Sequence, residues 1–159
     1  MNKTSRKGFT LIEILVVISV LGILAALILP RLGMSEKMGR DTRRKSDLNQ
    51  YRIALENFAA VNNGIYPTDD QDGNSSADTG LFSSSGSWIS SYLSSYPDDP
   101  LNNSEQGYNY YFRSASTGLT WVLQARLESE SNASWQICSN GKIGKISGYT
   151  TNPDLTCDL

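Results

Sequence analysis

The run Phe9-Thr-Leu-Ile-Glu-Ile-Leu-Val-Val-Ile-Ser-Val-Leu-Gly-Ile-Leu-Ala-Ala-Leu-Ile-Leu29 contains one ionisable side chain, Glu13, in an otherwise membrane-grade apolar segment. At a rise of about 1.5 Å per residue it makes a helix of roughly 30 Å, the thickness of a bilayer core. A carboxylate inside such a segment costs at least ~2.5 kcal/mol, so it marks function and requires a partner. Just upstream, a short basic segment bearing Lys3, Arg6 and Lys7 ends at Gly8 and offers a cut whose product begins with Phe9. That cut creates a free amine four residues from Glu13. Within one helix the two groups are neighbours. Between staggered parallel helices they neutralise each other, and the acid then rewards one axial stagger over the others.

The stretch Lys7-Gly8-Phe9-Thr10-Leu11-Ile12-Glu13 resembles the leader-peptidase site of type IV prepilins and type II secretion pseudopilins. The resemblance implies cleavage after Gly8, N-methylation of the new N-terminal Phe9, and an assembly role for Glu13. It also implies that Gly22 and Pro30 loosen the helix inside an assembled filament. The match is specific along the N-terminal helix and extends to the rest of the chain only as architecture. The partners it implies are other copies of this chain or of related pilins, a prepilin peptidase, an inner-membrane assembly platform and the membrane itself. The expected location is the inner membrane for the precursor, with the C-terminal domain exported. After assembly it is an extracellular pilus or a periplasmic pseudopilus.

A secretory signal is cut after its apolar region, at small residues, whereas the site here precedes the apolar run. The helix therefore stays with the mature chain; an uncut signal anchor is the alternative. With 159 residues, the chain has room for one small soluble domain beyond the helix. It carries 14 basic and 16 acidic residues, and losing Lys3, Arg6 and Lys7 makes the mature chain more acidic still. That charge gives no nucleic-acid footprint, so a nucleic-acid partner enters only through DNA uptake by a pilus. Basic residues flank the apolar run on both sides, and the leader and the cysteines decide for an exported C-terminus.

Beyond Pro30 the helical pattern resumes. Leu48, Tyr51, Leu55 and Phe58 form an apolar stripe, widened by Ile53, Ala54 and Val61, with Arg43, Arg44, Asn49, Arg52 and Glu56 opposite. Pro30 bends or loosens the helix, and Asn62-Asn63-Gly64 stops it. A turn-rich piece, Thr68–Gly80, precedes a short helix around Ser87–Ser95. Tyr96-Pro97-Asp98-Asp99-Pro100 then breaks regular structure. Strand-like runs follow at Tyr108–Arg113, Leu119–Leu127, Trp135–Cys138 and Ile143–Ile146. The expected fold is α+β and pilin-like: a long kinked N-terminal helix, transmembrane in its first half, packed on a small antiparallel sheet. Its parts are a cleaved leader (1–8), an assembly helix (9–29), the soluble half of the helix (30–63), a connecting loop (64–107), and the sheet with a C-terminal disulfide region (108–159).

Cys138 and Cys157 read as one disulfide in an oxidising compartment, two unpaired buried thiols being the alternative. The bridge is similar to the C-terminal disulfide region of many pilins. Asp69-Asp70-Gln71-Asp72-Gly73-Asn74 departs from the EF-hand spacing and reads as a solvated turn. Tyr96–Asn102 is similar to the turn before the sheet of major pseudopilins, a region that holds calcium in that family. This makes Asp98 and Asp99 calcium candidates against a purely structural turn. Otherwise no metal or cofactor is expected. Arg40–Lys45 reads as a helix face at the membrane exit, met by acids of adjacent subunits or by lipid head groups. Tyr108, Tyr110, Tyr111, Trp121 and Trp135 read as packing rather than as a stacking platform for bases or sugars.

The chain has no histidine, which removes the common nucleophile–base pairs and the usual zinc-water site, and no enzyme is expected. The leading functional expectation is a structural subunit of a type IV pilus-like filament serving adhesion, motility or DNA uptake. The alternatives are a major pseudopilin of a type II protein secretion system and a monomeric membrane-anchored binding module.

Overall fold

A computed structural model describes residues 8–68, 91–150 and 154–157. The chain divides into two compact units, Met1–Glu36 and Lys37–Leu159. One helix, α1 (Leu11–Val61), supplies most of the described part of the first unit and the opening element of the second. Residues 1–7 of the leader, the calcium-like run Asp69–Asn74 and positions 87–90 of the expected short helix lie outside the described residues.

In the first unit the helical assignment continues through Gly22 and Pro30. The apolar side chains described there are exposed within the single chain, among them Leu15, Val16, Ile18, Leu21 and Ile23. Leu11–Ile28 is long and apolar enough to cross a membrane.

In the second unit α1 ends where the sequence places its stop. Asn63 and Gly64 take left-handed backbone, and the Gly64 N–H donates to the Ala59 carbonyl at 2.8 Å. The chain then turns back onto the sheet, with the Tyr66 N–H donating to the Gly118 carbonyl at 2.8 Å. Gly118 has φ +66°, and a Cβ there would lie 2.6 Å from a methyl of Ile65 and 2.7 Å from the Tyr66 carbonyl. The close approach of the two backbones therefore requires glycine.

The sheet is a four-stranded antiparallel meander of β1 (Tyr110–Ser114), β2 (Trp121–Arg126), β3 (Ala133–Cys138) and β4 (Ile143–Ser147), in that order. Its register lines up Phe112, Leu123, Ile137 and Ile143 in one row, and Tyr110, Ala125, Trp135 and Lys145 in another. Buried members of these rows join Leu48, Tyr51, Ala54 and Leu55 of α1 in the main core. Tyr92, Leu93 and Tyr96 of the preceding loop pack against that core. On the other face Val122 and Cys138 form a second cluster with Cys157 and Leu155. The central strand β2 is thus covered on both sides, which explains why its apolar pattern alternates only in part.

The expected α+β arrangement is what the structure shows. Two details of the helix stripe need correction. Ile53 and Val61 are 54% and 69% exposed, because neither shares the helical face of Leu48, Tyr51 and Leu55. Arg44, expected on the solvent side, is fully buried. The aromatic side chains pack as expected: Tyr110, Tyr111 and Trp121 are buried, and Tyr66 meets Trp121 edge-on at 5.8 Å.

Cys138 and Cys157 are bonded to each other and both are buried. The bridge fastens the C-terminal segment over the outer face of β2. Replacing both cysteines by serine is expected to lower unfolding stability by about 3 kcal/mol, from the lost loop constraint. Urea denaturation followed by tryptophan fluorescence measures this, and an unchanged midpoint would count against the bridge as a constraint.

Candidate assembly site

Gly8 and Phe9 precede α1 in non-helical backbone, and the Phe9 side chain is 85% exposed. The peptide bond expected to be cut is thus in non-helical, accessible chain immediately before the helix. Glu13 lies in the first turn of α1. Its Oε2 accepts hydrogen bonds from the Thr10 backbone N–H and the Thr10 hydroxyl, each at 2.8 Å. In return the Glu13 N–H donates to Thr10 Oγ1 at 3.3 Å. This is a capping box, built from the Thr10-x-x-Glu13 spacing.

The sequence reading sought a partner for Glu13 only in the Phe9 amine and overlooked Thr10, although the spacing was visible. Thr10 satisfies lone pairs of the carboxylate within one chain. It is neutral, so the charge itself stays uncompensated there. Gly22 is also informative, since a Cβ at that position would meet nothing within 4 Å. Nothing among the described residues demands glycine at that point.

In the second unit the polar centre is Arg44. Its Nε and Nη2 donate to the two carboxylate oxygens of Asp99 at 2.6 and 2.9 Å, a two-pronged pair. Nη1 donates to Asp41 at 2.8 Å and lies 2.6 Å from Glu128. Arg40 holds Glu128 from the other side, with Nη2 2.7 Å from Oε2. Asp41 also accepts the backbone N–H groups of Glu128 and Ser129, each at 2.9 Å. Five charged side chains of α1 and of two remote loops therefore form one joint. Beside it, the Tyr110 hydroxyl donates to Asp47 at 2.7 Å.

Burial disfavours the Arg44 charge, but Asp99 above all, then Glu128 and Asp41, outweigh it and hold the guanidinium protonated more firmly than usual. Burial likewise works against the Asp41 carboxylate, yet its hydrogen bonds from Ser129, Glu128 and Arg44 bring its pKa below the ordinary value. Glu128 is lowered chiefly by Arg40. Asp47 goes the other way, raised mainly by burial.

These contacts correct one expectation and bear on a second reading. Arg40 and Arg44 are not left for neighbouring subunits or lipid, because acids of the same chain meet them. Lys45 stands over the Trp135 ring at 4.4 Å. Asp98 is exposed, while both Asp99 oxygens are engaged by Arg44, and one of them also accepts the Leu101 N–H at 2.9 Å. Calcium needs about six to eight oxygen ligands, so Asp98 and Asp99 as placed do not fit it. Among the described residues, no group of three or more histidine, cysteine or acidic side chains is arranged to hold a metal ion.

A family model described as the prokaryotic N-terminal methylation motif matches residues 3–29. The chain is 28% identical to type II secretion system core protein G of Dickeya chrysanthemi over 149 residues, covering 94% of this chain and 78% of that protein. Both matches support a likeness to the type IV pilin and pseudopilin family. The chain is 42% identical to core protein G of Klebsiella michiganensis over 72 residues and 38% identical to that of Pseudomonas aeruginosa over 71 residues. These alignments span about half the length of each of those two relatives. No solved structure gives a significant match. That likeness supports a structural subunit rather than an enzyme, and implies self-assembly into a filament and processing by a prepilin peptidase. The motif and the apolar helix fit a membrane-anchored precursor.

The joint generates a pH prediction. Asp41 and Glu128 have lowered folded-state pKa values, so the stability they contribute is present above the unfolded carboxylate range. It is lost as pH falls through their folded values. The melting temperature is expected to drop below about pH 4. Asp47, raised by burial, partly opposes that loss. Asp41→Asn is expected to melt lower at neutral pH and to show a shallower acid decline by circular dichroism. An acid profile identical to wild type would remove Asp41 from the account.

Proposed function

We propose that this chain is a major pseudopilin of a type II protein secretion system. It is cut after Gly8, methylated on Phe9 and polymerised through α1 into a short periplasmic filament. The observation that carries this reading is the likeness to core protein G across 94% of the chain, sheet domain included. It favours the secretion reading over the surface pilus that the sequence alone put first. The exposed apolar surface of α1 supports assembly, because it needs either lipid or other copies of the helix to cover it.

Within the filament Glu13 exchanges its single-chain environment for the Phe9 amine of an adjoining subunit, which neutralises the charge and sets the stagger. The absence of a side chain at Gly22 serves packing between subunits, and Pro30 provides the second point of helix loosening. An inner-membrane platform receives the processed subunit. The exported sheet domain forms the outside of the polymer.

Glu13→Val is expected to give a processed, membrane-inserted subunit that yields no filament and abolishes secretion. Normal filaments from that variant would sink the assembly role of Glu13. Gly8→Arg is expected to leave the leader attached. Mass spectrometry of the wild-type chain is expected to show Met1–Gly8 missing and one added methyl group; an intact N-terminus would contradict the cut site. Deletion of the gene separates the two filament readings. Retained exoproteins support secretion, whereas lost surface fibres with normal secretion would restore the pilus.

A further inference from the structure

The sheet face that bears Val122 and Cys138 also carries a polar cavity of about 240 Å³. The cross-strand register sets Gln124 of β2 beside Gln136 of β3, and the next position across, on β4, is Gly144. The two glutamines line the cavity together with Ser147 and Thr150 on one side and Asp154 and Thr156 of the C-terminal segment on the other. The disulfide at Cys157 holds that segment in place. Gln124 has no exposed surface, yet among the described residues neither its amide nitrogen nor its amide oxygen meets a hydrogen-bond partner. A buried amide without partners is costly, and leucine would fill the position without that cost. The chain therefore keeps a donor and an acceptor in a cavity where its own groups do not use them. At the exposed rim, Asp154 is steadied by the Thr156 N–H, which donates to its carboxylate at 3.1 Å.

We propose that this cavity binds one ring of a neutral sugar, with the Gln124 amide hydrogen-bonding to adjacent hydroxyl groups of the ring. A sugar hydroxyl both donates and accepts, which matches an amide that offers both functions side by side. An ionised Asp154 only accepts, so it takes a donor from the ligand and repels an anion. One carboxylate is too few for a hard cation. The volume lies below the ~300–1,000 Å³ of drug-sized sites and suits a single ring rather than a chain. None of the lining residues is aromatic, so hydrogen bonds carry the binding and the affinity is weak. Repetition along a polymer multiplies weak contacts into avidity, and the site is the same in a secretion filament or a pilus.

The test uses the full-length chain in micelles of a detergent without a sugar head group, with binding read by saturation-transfer NMR. The probes are glucose, galactose, mannose and N-acetylglucosamine, with glucuronate and N-acetylglycinamide as the anionic and peptide-like controls. At least one neutral sugar is expected to bind with a Kd of about 1 mM, and neither control is expected to bind. Gln124→Leu keeps the size of the side chain but not its amide. It is expected to weaken binding at least about tenfold while melting at or above the wild-type temperature. Asp154→Asn, on the exposed rim, is expected to weaken binding about threefold. No neutral sugar bound at about 50 mM, binding unchanged in both variants, or binding of a control alone would overturn the proposal. So would a Gln124→Leu chain that melts lower or fails to fold, because the amide would then be serving the domain itself.

Discussion

An apolar helix that none of the described residues covers is the constraint from which the rest follows. The apolar side chains of Leu11–Ile28 have no core of their own to enter. Water is an unfavourable surrounding for such a surface, so it passes between two acceptable ones, the bilayer and a bundle of like helices. In a purely apolar segment those two would compete without specificity. In the proposed assembly Glu13 breaks the tie, since an acid is poorly accommodated by hydrocarbon and well accommodated beside an amine. Thr10 moderates this preference by giving the carboxylate two hydrogen bonds while the subunit is alone.

The second unit solves a different problem. A small four-stranded sheet with one helix on its face has a limited core, and a long connection must still be held in place. Apolar packing does part of this through Tyr92, Leu93 and Tyr96. The rest falls to the Arg44 joint, which ties the loop and the β2–β3 turn to one turn of α1. Replacing a pair of this kind by packed apolar residues is often tolerated, while removing one partner alone is strongly destabilising. The disulfide performs the corresponding task on the opposite face, where the C-terminal segment covers β2.

Much of this was legible in the residues. The apolar run, the Asn62–Gly64 stop and the four strands follow from periodicity and turn chemistry, and the structure moves the strand ends by a few residues at most. Burial of Arg44 was missed because its charge placed it with the solvent side. Yet Arg44, Leu48, Tyr51 and Leu55 share one helical face, so the spacing already put position 44 over the core. Its partners Asp99 and Glu128 are remote in sequence, and no local pattern pairs them. The Asp99 contact was hidden for the same reason: a turn rich in acids looks like a metal site until the position of the nearest cation is known. The choice between pilus and secretion filament depends on the outer domain, where the motif is silent and likeness along the whole chain speaks.

The central claim is electrostatic: the one acid of the apolar helix finds a positive partner in an adjoining subunit. A filament structure at side-chain resolution tests it most directly, through the distance between the Glu13 carboxylate and the nearest Phe9 amine of another copy. The account predicts a contact within about 4 Å, the range of a direct ion pair. Filaments in which Glu13 remains turned onto its own Thr10, with no amine from a neighbour in reach, would contradict it.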